Sequence, residues 1–461
     1  MDVRTASPSP FEADALARRM IERRAVEAII WGMPAVNYDL MYQAMVREAK
    51  GTFNQVAYWS RLPDWKIQTL TPNPDAIYFT PFTSTAEVGA IVLEIPPADD
   101  GSITGTVMDA WQCALEDVGP AGMDKGQGGK YVILPPGNND DVPAGYIALP
   151  SDTYAGYALL RSIPKSGNGR DVAKAVAYGK RIRLYPLSQA ANPPATTFVD
   201  VVDLVYDATI TYDVRFFESL DRIVQTEPWL ARDKVMIDPL KSIGIEKGKR
   251  FNPDPTVREI LDRAAREAHA WLVARYEASF SSPYYEGGHW SLPGSHELLD
   301  GQATFFANPD LYPTDARGVT FSYAYFTPKH RGAGSSYLLA IADADGRLLE
   351  GGATYRLKVP ANAPVSQYWS ATVYDRATHA PIRNSRWPSR SSQTPGLRNN
   401  ADGSVDIYFG PDAPNGSESN WIPTKAESGF EVLFRFYGPG KPLFDKTWRL
   451  PDIEIVEEIL S

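Results

Sequence analysis

Apolar positions near the start of the chain recur at helical spacing. Leu16, Met20, Ala25 and Ala28 lie three to five residues apart, Ile29 follows Ala28, and Arg and Glu stand between them. The spacing predicts a helix that Trp31-Gly32-Met33-Pro34 interrupts, because Pro34 has no N–H to donate and disfavours helix at Met33. A second helix is predicted from about Val36 to Ala49. Between Lys66 and about Asp207 the pattern changes to short extended runs split by Gly and Pro. Ile91-Val92-Leu93-Glu94-Ile95 and Tyr131-Val132-Ile133-Leu134 are strand candidates, each ended by prolines. These runs predict a β-sandwich or barrel.

Helical periodicity returns from Val214 to Glu227 and is strongest from Asp254 to Phe280. There Asp254 is placed to cap the helix and Pro255 suits its first turn. Ser281 to Asp310 reads as an aromatic, Gly-containing loop. From about Tyr337 the pattern is β again. Phe430, Val432, Phe434 and Phe436 alternate with Glu431, Leu433, Arg435 and Tyr437, so one face of this strand is apolar. Arg435 and Tyr437 point away from that face, toward solvent, another domain or a cleft. The fold class is α+β: a β-rich, multidomain chain with two β-sandwich or jelly-roll-like domains and helical N-terminal and linking segments.

Composition narrows the classes. At roughly 150 residues per domain, 461 residues predict two to four domains. The hydrophobic share of 43% and charged share of 22% are those of an ordinary globular protein. A formal charge of −10 argues against a nucleic-acid partner, which needs a basic face. No apolar run approaches the ~18 residues of a membrane span. Cys113 stands alone, which excludes an internal disulfide and any Cys-rich metal site. Met1 to Asp14 is polar and Pro-rich with no apolar leader core, so the chain is cytoplasmic or has lost a leader.

Several unusual phrases occur in order along the chain. They are Trp31-Gly32-Met33-Pro34, Thr71-Pro72-Asn73-Pro74-Asp75-Ala76-Ile77-Tyr78, Asp109-Ala110-Trp111-Gln112 and Asp124-Lys125-Gly126-Gln127-Gly128-Gly129-Lys130-Tyr131. Further on stand Gly244-Ile245-Glu246-Lys247-Gly248-Lys249, Tyr368-Trp369-Ser370-Ala371-Thr372-Val373-Tyr374-Asp375, Asn420-Trp421-Ile422-Pro423 and Arg435-Phe436-Tyr437-Gly438-Pro439. Together they resemble the bacterial proteins that join two domains of unknown function, DUF1254 and DUF1214, over roughly residues 20 to 455. The resemblance implies an N-terminal helical segment (11–50), a DUF1254-like β domain (51–210), a helical linking region (211–336) and a DUF1214-like β-sandwich (337–461). It also implies a periplasmic or secreted location. It carries no activity and no set of catalytic residues, so the chemistry is argued from the residues.

Asp124 to Lys130 has the glycine density of a phosphate loop. Asp124 stands where a Walker A loop needs its first Gly, and Tyr131 where it needs Ser or Thr, so the segment reads as a hairpin. No Gly-x-Ser-x-Gly elbow and no dinucleotide fingerprint is present. His289 and His296, with Glu286 and Glu297, form the one His/carboxylate grouping. Their spacing fits no zinc signature, and they read as a solvated loop. His269 and His330 read as structural or solvated.

Asn73, Asp75 and Tyr78 either build a turn or face a cleft, with Asp75 as acid/base group and Tyr78 as hydrogen-bond donor. Asp109 and Trp111, two residues apart on an expected strand, share a face. They form either a carboxylate beside an aromatic wall or a buried structural pair. Arg383, Arg386, Arg390 and Arg398 lie in a Ser- and Pro-rich loop, as an ion-paired structural element or as an anion anchor, with Arg386 the chosen candidate. Asn420, Trp421, Arg435 and Tyr437 complete the substrate-binding candidates.

The expected function is therefore an enzyme of hydrolase or lyase type, using Asp75, Tyr78 and Asp109 on a small, partly apolar organic molecule in a cleft between the β domains. No metal and no cofactor is expected. The rival is a non-catalytic ligand-binding or carbohydrate-binding protein of the cell envelope. A small-molecule ligand is the expected partner, with homo-oligomerisation left open.

Overall fold

The computed structural model describes residues 11–138, 142–324, 328–330 and 334–456. Most of the polar start, the last five residues and parts of the linking region lie outside them. The chain is a multidomain α+β protein built from open sheets, not a closed barrel.

In the first β domain, a six-stranded sheet is ordered Phe198–Asp200, Gln55–Tyr58, Ile77–Ser84, Ala155–Ser162, Ile103–Asp109 and Ala114–Val118. A four-stranded sheet, ordered Arg183–Pro186, Ile91–Ile95, Gly129–Leu134 and Tyr146–Pro150, packs on it. Strand alternation sorts the side chains. Ile77, Phe79 and Leu160 enter the core between the two sheets, whereas Tyr78, Phe82 and Leu159 face a helical layer. Both faces of the larger sheet are thus covered. The Gly-rich segment is a hairpin entry, as its residues predict. The Asp124 carboxylate accepts from the N–H groups of Gly119 and Gly128 and from the Tyr131 hydroxyl.

The second β domain pairs a sheet of Ser335–Ala340, Phe430–Pro439, Val365–Asp375 and Ser389–Ser391 with one of Trp421–Pro423, Val405–Gly410, Tyr355–Val359 and Glu454–Ile455. Phe430, Val432, Phe434 and Phe436 fill the core between them. The opposite face of Phe430–Pro439, carrying Glu431, Leu433, Arg435 and Tyr437, is equally buried, against the first domain and the helices.

The helical layer consists of α1 (Ala13–Ala49), α3 (Val214–Thr226), α4 (Ile237–Ser242), α5 (Pro255–Ala278), α6 (His296–Ala303) and α7 (Thr314–Tyr323), whereas α2 (Gly169–Gly179) packs into the core between the sheets of the first domain. Two expectations are corrected here. The helix does not break at Pro34: α1 runs straight through it. Pro34 leaves the Ile30 carbonyl without its intrahelical donor. Gly318 of α7 packs on that carbonyl so closely that a Cβ at 318 would sit 2.7 Å from it. Asn37 Nδ2, a turn later, donates to the carbonyls of Phe321 and Ala324 at the end of α7, at 2.8 and 3.1 Å. Tertiary packing therefore overrides the local signal. The 281–310 segment, read as loop, contains α6, capped by Ser295. By contrast, α5 begins as predicted, with Asp254 Oδ1 accepting from Thr256 and Val257.

Gly318→Ala gains about 1 kcal/mol of helix propensity but forces α7 off α1. Overpacking against backbone costs about 1–3 kcal/mol. The expected result is a lower thermal unfolding midpoint; an unchanged or raised one would show that the helices do not cross this tightly.

Candidate functional site

A cavity of about 490 Å³ lies where the larger sheet of the first domain faces the outer side of the Phe430–Pro439 sheet. Strand register builds both walls. On the first sheet, Tyr78, Arg161 and Thr104 are cross-strand neighbours, and so are Leu159, Thr106 and Asp117. On the second, Tyr337 lies opposite Arg435 and Tyr368 opposite Tyr437. Thr320 and Tyr323 of α7 and His296 of α6 close the sides. Much of the lining is apolar, including Leu70, Leu159 and Leu433.

The segment 71–78 joins the two walls. Asn73 Oδ1 accepts from the Asp75 N–H at 3.0 Å, fixing the turn. Its Nδ2 donates to the hydroxyls of Tyr368 and Tyr437 at 2.7 and 2.8 Å. Those two rings stack 4.4 Å apart. Asn73 N–H donates to the Tyr78 hydroxyl at 2.7 Å, which leaves the Tyr78 O–H to donate elsewhere. Arg435 reaches from the second domain to the carbonyls of Thr71 and Pro72 at 2.8 and 3.1 Å. It also donates to Thr372 Oγ1 and the Tyr374 hydroxyl, at 2.8 and 2.6 Å. Burial raises the Tyr437 hydroxyl far above its usual range, helped by Tyr337 and opposed by Arg161 and Arg435. It is a neutral hydrogen-bonding group at physiological pH.

At the cavity wall, His330 Nε2 lies 2.6 Å from Glu116 Oε1, and Lys329 Nζ holds the other Glu116 oxygen at 3.1 Å. Asp117 fixes the same segment. Its carboxylate accepts from the N–H groups of Lys329 and His330 at 3.1 and 2.6 Å and from Thr106 Oγ1 at 2.6 Å. Burial raises the Asp117 carboxyl, against these hydrogen bonds.

The structure distributes the residues chosen from sequence. Tyr78, Arg435 and Tyr437 line the cavity, and Asn73 braces it from behind. Asp75 does not line it. Its Oδ2 accepts from Ser389 at 2.6 Å, tying the domains together; burial raises its carboxyl, opposed by Ser389, Ser391, Arg435 and Arg390. Arg386 is exposed and stacks on Trp387, 4.1 Å from the ring centre, away from the cavity. Asn420 bonds the Arg398 N–H and the carbonyls of Arg398 and Asp406. Trp421 Nε1 donates to the Gly410 carbonyl. Both organise a loop. Arg383 pairs with Asp207 and Arg398 with the Gly416 carbonyl.

The shared face expected for Asp109 and Trp111 does not form, because the strand ends at Asp109 and Gln112 turns with φ +61°. Asp109 Oδ1 accepts from the N–H groups of Trp111 and Cys113, both at 2.8 Å. Trp111 packs on Trp31, ring centres 4.6 Å apart. His289 is bound to Asp452 by its N–H and Nδ1, at 2.9 and 3.1 Å, whereas His296 lines the cavity. Sequence reasoning missed Arg161, Glu116 and Asp117, and set His330 aside. Arg161 and the Glu116-Asp117 pair had a usable signal: ionisable residues inside otherwise apolar strands.

Asp109 makes a separate prediction. Burial raises its carboxyl to about 6, against the Cys113 N–H and the charges of Arg232 and Arg317. Burial likewise raises Glu227 to about 7, and the Asp109 charge adds to that rise. A raised folded pKa favours the protonated form, so this stability is complete below about pH 4 and is lost as pH rises through 6 and 7. Asp109→Asn keeps the Oδ1 bonds and removes the titration. About 3 kcal/mol of pH dependence should disappear between pH 4 and 6, at roughly 1.4 kcal/mol per unit. Parallel stability–pH curves for the two proteins would contradict this.

The comparisons agree with this architecture. The model of DUF1254, a protein of unknown function, matches residues 53–186, and that of DUF1214, likewise of unknown function, matches 334–441. No curated protein matches the chain. Among solved structures, the VPA0106 protein from Vibrio parahaemolyticus is similar, with a TM-score of 0.59 and 18% identity over 95% of this chain and 100% of that one. An uncharacterized protein from Burkholderia cenocepacia aligns over 96% of each chain at a TM-score of 0.41 and 12% identity. With both family models in order on its two β domains, the chain belongs to the two-domain DUF1254/DUF1214 proteins.

Proposed function

We propose that the interdomain cavity binds a small, partly apolar organic molecule and that the chain transforms it by hydrolase- or lyase-type acid/base chemistry. The observation that carries the reading is His330 at the wall of this cavity, with Glu116 Oε1 2.6 Å from its Nε2. With Nε2–H donating to the carboxylate, Nδ1 is left as a base, and Glu116 stabilises the imidazolium formed when it takes a proton. The proton comes from water or from the substrate. Tyr78, itself buried, donates its O–H to substrate oxygen, and the largely apolar lining around it strengthens that bond by excluding water.

The roles once given to Asp75 and Asp109 pass to His330 and Tyr78 in this reading, since neither carboxylate lines the cavity. The same observation favours a second reading, a non-catalytic ligand-binding protein of the cell envelope. A recessed cavity suits a small ligand better than the flat aromatic platform of a carbohydrate binder.

The test is incubation of the full chain with medium-chain and aryl esters, amides and hydroxy acids, with products followed by mass spectrometry. Saturable turnover of any of them supports the enzyme. Saturable binding without product across the whole panel assigns the chain to the second reading.

A further inference from the structure

We infer that the ligand of this cavity is an organic anion, a carboxylate or similar oxyanion carried on an apolar body. The inference rests on the reading above only in taking the cavity as the ligand site.

The chain as a whole is acidic, at −10, yet among the described residues, with Glu116 taken up by His330 and Lys329, the cavity lining carries two arginines and two histidines against one further carboxylate. That carboxylate, Asp117, is already occupied by Thr106 and by the backbone of Lys329 and His330. Arg161 and Arg435 come from facing sheets, and each lies beside a cavity-lining tyrosine. Arg161 lies 5.5 Å from the Tyr78 ring centre and Arg435 5.9 Å from that of Tyr337. The charge neighbours of Tyr437 include both guanidiniums.

Arg435 is only 3% exposed, and among the described residues its hydrogen bonds go to neutral oxygens. The carboxylate in its surroundings, Asp75, is bonded to Ser389 outside the cavity. A guanidinium removed from water without a contacting counter-charge is costly. A ligand oxyanion between the two sheets relieves that cost through charge-assisted hydrogen bonds, with Tyr78 as a further donor. Much of the rest of the wall is apolar, including Leu70, Leu159 and Leu433, with Thr and Ser hydroxyls among it. A volume of about 490 Å³ is roughly three times the ~150 Å³ cavity that encloses one benzene, enough for a head group and a tail or ring.

The experiment compares head groups on one body in calorimetric titrations of the full chain. The probes are octanoate, 1-octanol and octylamine, and 2-naphthoate against 2-naphthol. Within at least one set, the carboxylate should bind one to one, at least about tenfold tighter than its neutral partner. In Arg161→Gln that preference should shrink to near parity, while the neutral probe keeps its affinity. If Arg161→Gln does not fold, the head-group series on the natural protein decides alone. Equal or weaker binding of both carboxylates, or no binding by either set, overturns the inference. Carboxylate binding without turnover of any substrate keeps the anion site and removes the enzyme. Turnover of neutral substrates without carboxylate preference does the reverse.

Discussion

Replacing Arg435 by methionine is expected to lower stability by on the order of 3 kcal/mol and to loosen the junction between the β domains before either core melts. The methionine stem fills much of the same volume, so the loss comes from hydrogen bonds. Arg435 holds the carbonyls of Thr71 and Pro72 from across the junction. Pro72 keeps the Tyr374 hydroxyl as donor, but the Thr71 carbonyl loses its guanidinium donor. Hydrogen bonds from a charged donor are worth ~1.5–3 kcal/mol, and the part-buried Thr71 carbonyl is left without one. Arg435→Lys should recover only part, because one ammonium cannot span Thr372 on its own sheet and the 71–72 backbone together. Hydrogen exchange reports the effect locally. Amides of residues 71–78 should exchange faster in the variant, while those of Ile91–Ile95 and Val405–Gly410 stay protected. Uniform acceleration would mean that the arginine supports the second sandwich and not the junction.

How much of this could be read from the chain differs between fold and site. Alternation at Phe430 to Tyr437 is legible because a strand's period is two whatever it packs against. It also places Arg435 and Tyr437 on one face without saying what that face meets. Pro34 misleads because its local cost is offset by contacts from Gly318 and Asn37, which lie hundreds of residues apart in sequence. Asp109 and Trp111 mislead because the strand ends between them, and a positive φ at Gln112 leaves no regular alternation.

The site was legible only where a residue's strand face was fixed and that face met the other domain. Arg161 becomes a wall residue through register with Tyr78 and Thr104, a relation between three strands that no local pattern encodes. Asp75 and Asn420 carry the residue types of a site, yet their oxygens and nitrogens are used up on neighbouring backbone and Ser389. Asn and Asp serve turns and chemistry with the same atoms. His330 is the converse. A lone histidine after Pro328-Lys329 looks solvated until the fold brings Glu116 to 2.6 Å from its ring.

That pair makes the last prediction. His330→Gln should lower kcat on a turned-over substrate by about 10²–10⁴-fold, the usual contribution of a positioned general base. The side chain is half-exposed, and glutamine retains an N–H for Glu116, so the thermal midpoint should stay unchanged. KM should move little if binding resides in the arginines, the tyrosines and the apolar wall. Glu116→Gln acts through the histidine as a positioning change and should cost less. Its signature is a fall in kcat with KM and the thermal midpoint unchanged. Unchanged kcat in His330→Gln would remove the histidine from the chemistry. A fall in kcat with a matching fall in thermal midpoint would reduce the pair to a structural contact between Glu116 and the 328–330 segment.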